Sequence, residues 1–251
     1  MEVLEAIILG IIQGITEWLP ISSSGHLVIF QELFGMQVPV FFDIMLHFAT
    51  LIVIFTVFWK DIIKIVESWI KWRKDQYFKI GWFIFLGSIA TAIIGFTFKD
   101  LILDFFHNLS VVGIALIFTG ILLFSTKFFH GKRNLRWYDS IIIGLMQGLA
   151  LVPGISRSGS TISTGLLLGI ERKLMAKFSF LLVIPAIIGA TILEFDPNFI
   201  VGDFGPVLVG MIVSIVVGYF SLKLLLKIVL RNKFWLFGFY CMILGLILIL
   251  I

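Results

Sequence analysis

Cysteine occurs once in the 251 residues, at Cys241, which excludes an internal disulfide and any cysteine-based metal cluster. Charge is equally scarce: Asp, Glu, Lys and Arg together make up 14% of the chain. A soluble domain of this length carries about a quarter charged residues, so this composition excludes an ordinary water-soluble fold. No stretch alternates apolar and polar residues with period two, which excludes a membrane β-barrel. The N-terminal stretch has no basic segment and carries Glu2 and Glu5, so it is expected to be mature protein rather than a signal peptide.

What the chain does have is 60% hydrophobic residues and a mean hydropathy of +1.12. Such apolar surface must be solvated by lipid, which gives an all-α integral membrane protein in a single membrane domain spanning 1–251. Full spans are expected at 40–59, 80–98, 111–128, 174–193, 206–226 and 234–251. Residues 3–34 and 138–170 are also apolar, but Pro, Gly and Ser break them into pieces of about 10–16 residues, too short to cross. Pieces of that kind read as half-helices of re-entrant pairs, tolerated at depth only when buried in protein or facing water.

The isoelectric point near 9.2 does not call for a nucleic acid partner, because the basic residues are dispersed in short loops. Seventeen of the nineteen Lys and Arg residues fall in 60–79, 127–136, 172–177 and 223–233, leaving Lys99 and Arg157. Glu32, Asp100, Asp104, Glu194, Asp196 and Asp203 lie on the opposite side. The positive-inside rule then places the basic loops of this multi-pass protein in the cytoplasm and both termini outside.

Sliding the chain against itself by 134 residues pairs Gly10, Gln13 and Gly14 with Gly144, Gln147 and Gly148, and Ser22, Ser24 and Gly25 with Ser156, Ser158 and Gly159. Two repeats follow, 1–130 and 135–251, each a re-entrant pair and three spans. Three spans per repeat make the topology inverted, so the two broken stretches enter from opposite faces and meet near the midplane.

The first meeting stretch, Gln13 to His26, reads QGITEWLPISSSGH. Gln13 and Glu17 share a helix face, and Pro20 should end that helix. Glu17 then faces the negative end of the helix dipole and requires a cation or a proton, a divalent metal being the simplest answer. Ser22, Ser23, Ser24 and Gly25 open the next half-helix, whose N-terminus favours an anion. The second stretch, Pro153 to Thr161, reads PGISRSGST. Arg157 is the one basic residue expected at membrane depth, and its planar fork suits phosphate oxygens. Ser156, Ser158, Gly159, Ser160 and Thr161 supply hydroxyls and close backbone beside it. The bland readings are packing for the Ser and Gly clusters and a structural Arg157–Glu17 pair. Asp43 and His47, four apart on the first full span, can bind metal or simply pair.

Three motifs in order, QGITEWLPISSSGH, FDIMLH around Asp43 and His47, and PGISRSGST, resemble the undecaprenyl-diphosphatase family, also called the bacitracin-resistance protein family. The resemblance runs along nearly the whole chain. It implies hydrolysis of undecaprenyl diphosphate to the monophosphate and inorganic phosphate on the outer side of the membrane, with a divalent cation, Mg²⁺ or Ca²⁺. By the same motifs, Glu17 is the second carboxylate of an acidic pair, Ser23 and His26 are catalytic candidates, and Ser156, Arg157 and Thr161 are phosphate-site residues. Gln13 stands where the family often has Glu, so the metal set is Glu17 with a neutral amide. Either Ser23 attacks phosphorus after giving its proton to His26, or His26 activates water. The other reading of the architecture is a transporter or flippase of a polyprenyl phosphate lipid. The polyprenyl diphosphate and the bilayer are the expected partners, and a homodimer is left open.

Overall fold

The structure is a computed structural model in which residues 2–36, 38–106, 108–129, 131–193 and 204–250 are described. The described residues form eleven α-helices: α1 Val3–Thr16, α2 Ser23–Leu33, α3 Val40–Ile70, α4 Gln76–Thr97, α5 Lys99–Phe105, α6 Leu109–Ser125, α7 Trp137–Leu149, α8 Arg157–Leu167, α9 Arg172–Leu193, α10 Phe204–Leu230 and α11 Phe237–Leu250. Two 3₁₀ turns, Thr126–Phe128 and Phe234–Leu236, complete the helical set.

Among the described residues five apolar helices are long enough to cross a membrane: Phe41–Ile70, Gln76–Thr97, Leu109–Phe128, Arg172–Leu193 and Phe204–Leu230. The sixth expected span corresponds to the shorter apolar stretch Phe234–Leu250. By contrast, α1, α2, α7 and α8 contain 14, 11, 13 and 11 residues. At 1.5 Å per residue they reach about 16–21 Å, well short of a hydrocarbon layer of about 30 Å.

The first long helix does not stop at residue 59. It passes a non-helical Phe58 (φ −108°, ψ 16°) and continues to Ile70. Hydropathy marks where a helix leaves lipid, whereas Lys60, Lys64 and Glu67 are good helix formers that let it run on. Lys60 and Lys64 are therefore helical rather than loop residues, and the neighbouring Asp61 accepts a 2.7 Å bond from Lys177 on α9. The short helix α5 is a further element that the span pattern did not contain. Glu194, Asp196 and Asp203, three of the acidic residues used for orientation, lie outside the described residues.

The short helices are seated by close backbone contact. α1 packs along α10, α7 along α4, α6 along α11, and α3 lies beside α9. A Cβ on Gly144 would stand 2.2 Å from the Gly87 carbonyl oxygen, so only glycine allows α7 to approach α4 this closely. Thr91 on α4 donates across the same seam to the Gly144 carbonyl (2.9 Å). At its N-terminal end α7 is tied by Arg133, whose guanidinium donates two bonds, 2.6 and 2.8 Å, to the fully buried Asp139 carboxylate. The Arg133 backbone bridges to Ile170, and its Nε donates to the Leu168 carbonyl (2.7 Å), so one strap fixes α7 to the turn after α8. At the centre of the molecule Trp18 is fully buried, with its ring edge-on to Phe180 at 5.8 Å.

Candidate functional site

The two broken stretches meet, and their caps hold each other. Ser22 caps α2 through the Gly25 N–H (3.2 Å), and the same hydroxyl accepts the Gly154 N–H of the second stretch (3.1 Å). To make both bonds Ser22 adopts φ 70°, a left-handed conformation that a non-glycine residue occupies at a cost. Gly154, at φ 95°, lies so close to α6 that a Cβ would stand 2.5 Å from the Val112 carbonyl oxygen. Ser156 caps α8 through the Gly159 N–H (3.1 Å), and Thr119 of α6 joins the loop by accepting from Ser156 N–H (3.1 Å) and donating to Gly154 O (3.0 Å). Ser158 donates to the Trp18 carbonyl (3.0 Å), a second bond from one stretch to the other.

At the junction the Glu17 carboxylate collects four groups. Arg157 Nη2 donates to Oε1 at 2.6 Å. On Oε2, Ser23 Oγ donates at 2.7 Å and Gln13 Nε2 at 3.2 Å, while His47 Nε2 lies 3.6 Å away. The Glu17 and Arg157 side chains are 6% and 13% exposed, so the pair is withdrawn from water and its strength depends on these partners. Arg157 also lies over the Trp18 ring, 6.0 Å from its centroid. Arg157 thus supplies one cation to this carboxylate, on its Oε1 side. The pairing alone does not satisfy the guanidinium, because Nη1 is buried without a protein partner, as is Gln13 Oε1. Two unsatisfied buried groups of opposite hydrogen-bonding character, a donor and an acceptor, therefore lie beside one carboxylate.

His26 stands apart from Ser23. Its Nδ1 donates to the Ser22 carbonyl oxygen (2.8 Å), which leaves the Nε2 lone pair to accept the Tyr240 hydroxyl (2.7 Å). The two rings stack at 5.7 Å with an interplanar angle of 12°. Both imidazole nitrogens are therefore engaged, and the hydroxyl of Ser23 is directed to a carboxylate rather than to an imidazole. Thr161 likewise turns back into its helix, donating to the Arg157 carbonyl (2.8 Å) and sharing a 2.6 Å bond with Ser179. Ser24 lies 3.4 Å from Ser22, and Ser160 is buried with an unpartnered hydroxyl. The Asp43 carboxylate accepts both its bonds from Gln31 (3.1 and 3.0 Å), and its backbone carbonyl accepts from His47 Nδ1 (2.8 Å). Tyr240, Gln31, Thr119 and Ser179 carry no motif. Each is an ordinary polar residue that only the packing brings to the site.

The described residues thus form an all-helical, multi-pass membrane protein whose buried polar centre is made by two short-helix pairs around a half-satisfied guanidinium. Residues 6–247 match the family described as Bacitracin resistance protein BacA, and the chain belongs to that family. Proteins called undecaprenyl-diphosphatase match it along almost their full length. The one from Methanosphaera stadtmanae is 41% identical over all of this chain and 98% of its own. Those from Alkaliphilus metalliredigens and Desulfosudis oleivorans are 41% and 43% identical, over 100% and 98% of this chain and 98% and 97% of theirs.

Proposed function

We propose that this chain hydrolyses undecaprenyl diphosphate to undecaprenyl phosphate and inorganic phosphate, returning the carrier lipid to cell-wall synthesis and conferring bacitracin resistance. Family membership supports hydrolysis rather than transport. The observation that carries the mechanism is the Glu17 carboxylate, with Ser23 Oγ on one oxygen at 2.7 Å and Arg157 on the other at 2.6 Å.

In this reading Ser23 Oγ attacks the terminal phosphorus, and its proton passes to Glu17 Oε2. The bond between that phosphorus and the bridging oxygen breaks, and the lipid monophosphate leaves with the bridging oxygen, which takes the proton from Glu17 and returns Oε2 to the carboxylate form. Water then attacks the phosphoserine, restoring the Ser23 hydroxyl and releasing phosphate. Arg157 Nη1 supplies a guanidinium donor for the charge that grows on the phosphoryl oxygens, while Nη2 stays on Glu17. A water mechanism based on His26 would first require Nε2 to leave Tyr240. Glu17 Oε2 and the unpartnered Gln13 Oε1 suit a hard cation such as Mg²⁺ or Ca²⁺, which would supply Lewis-acid stabilisation of phosphate oxygens.

The chain is read as two inverted repeats, 1–130 and 135–251, with α1–α2 and α7–α8 as re-entrant pairs. Reciprocal packing supports this: α1 lies on α10 as its counterpart α7 lies on α4, and the third helices of the two halves, α6 and α11, pair with each other. The basic loops are assigned to the cytoplasm and both termini to the outside of the inner membrane, which places the site within reach of outer-leaflet lipid. Phosphate release from long-chain polyprenyl diphosphate by purified protein, with and without chelator, tests the reading. No release by the wild type under either condition overturns it.

A further inference from the structure

The imidazole of His47 has no part in the chemistry above, yet its Nε2 lies 3.6 Å from Glu17 Oε2. Its other nitrogen is committed: Nδ1 donates to the Asp43 carbonyl oxygen at 2.8 Å, a bond that leaves the lone pair of a neutral ring on Nε2. With the ring in that neutral form, an imidazole lone pair and a carboxylate oxygen face each other across a 3.6 Å gap. This arrangement, one ring nitrogen bound to a carbonyl and the other pointed at a carboxylate, is the one that metal-ligating histidines show.

A third donor stands beside the gap. Gln13 Oε1 is buried and unpartnered, and Gln13 Nε2 lies 3.2 Å from the same Glu17 oxygen. A half-turn about the last side-chain bond exchanges the two amide atoms, placing Oε1 where Nε2 now lies. Metal–donor bonds of about 2.1–2.2 Å put neighbouring ligands about 3.0–3.6 Å apart. The separations from Glu17 Oε2 to His47 Nε2 and to the Gln13 amide fall in that interval.

We propose that His47 is a ligand of the divalent cation, which is held by His47 Nε2, Glu17 Oε2 and Gln13 Oε1 with phosphate and water oxygens completing its shell. Among the described residues no three His, Cys, Asp or Glu side chains converge on a metal position, and an amide here takes the third place. Asp43 is not a ligand, because Gln31 holds its carboxylate; it serves by fixing the ring through its carbonyl. A nitrogen in the set favours first-row transition ions over Ca²⁺, and among them Mn²⁺ also suits the carboxylate, amide and phosphate oxygens around it. The inference rests on the cation reading of the proposed function.

Mn²⁺ is the probe. Pulsed electron paramagnetic resonance of Mn²⁺ bound to the purified wild type should show modulation from one directly bound ¹⁴N nucleus. Incorporating ¹⁵N-histidine into the wild type should convert that signal without altering the fold. His47→Gln should abolish it and weaken Mn²⁺ binding about tenfold or more. Bound Mn²⁺ without nitrogen modulation, modulation that persists in His47→Gln, or no Mn²⁺ binding at all overturns the assignment. Lipid diphosphate hydrolysis followed on the same samples separates the two readings. Hydrolysis by a wild type lacking nitrogen-coupled Mn²⁺ removes the ligand and keeps the phosphatase, whereas nitrogen-coupled Mn²⁺ without hydrolysis does the reverse.

Discussion

Arg157 Nη2 donates to Glu17 Oε1 at 2.6 Å across 140 residues of sequence, joining the start of α8 to the end of α1. The bond uses one end of the guanidinium fork, while Nη1 is left buried and unpartnered. The pair is thus half structure and half binding site.

Arg157→Lys separates those halves. Lysine keeps a charge for Glu17 but cannot reach a phosphate oxygen at the same time. The catalytic rate should fall about 100-fold or more, which corresponds to about 2.7 kcal/mol, with a much smaller change in KM. Steady-state phosphate release measures both. Wild-type turnover in this variant would make the pair purely structural.

Ser23→Ala should retain well under a tenth of wild-type turnover. Acid quenching of the wild type during turnover should trap phosphate on a serine, and the variant should trap none. Turnover above a tenth in Ser23→Ala would move the nucleophile to water.

Tyr240→Phe removes the hydroxyl that His26 Nε2 accepts and keeps the stacked ring. Leaving that buried nitrogen unpartnered should destabilise the protein by about 1–3 kcal/mol, seen as a lower thermal midpoint in detergent. Tyr240→Leu, which also removes the ring contact, should cost more. An unchanged midpoint in both would show that the pair contributes nothing to the fold.

Trp72 and Leu101 are exposed, at the far end of α3 and on α5. Cysteine introduced at each, in a chain with Cys241 replaced, should react with membrane-impermeant reagent from opposite sides. Labelling of both from one side would defeat the inverted arrangement.

Much of this was legible in the sequence, and the reasons differ from part to part. Pro20 and Pro153 mark broken helices because each is followed within three residues by serines that cap a new helix, whereas Pro185, without such neighbours, is carried inside α9. Arg157 announced itself by cost, since a lone cation in an apolar environment requires a partner. The partner of Ser23 was not legible: sequence neighbours suggested His26, whereas the α1 C-terminus turns Glu17 towards the serine and Tyr240, 214 residues from His26, takes the imidazole. The end of α3 was missed because hydropathy reports the lipid boundary and not the helix boundary. The approach of His47 to Glu17 depends on how α3 leans on α1, a relation that no local pattern encodes.

The seat of α1 along α10 has a consequence for how the protein is made. Val3–Thr16 is synthesised about 190 residues before the surface that receives it, Phe204–Leu230. Until then the helix that carries Gln13 has α2 and α3 to pack on but lacks the α10 face, so its seat is completed only when α10 docks. Truncated chains ending before residue 204 should therefore leave α1 open to protease or to labelling, and a slow step in biogenesis belongs at this late docking rather than at insertion of the individual helices.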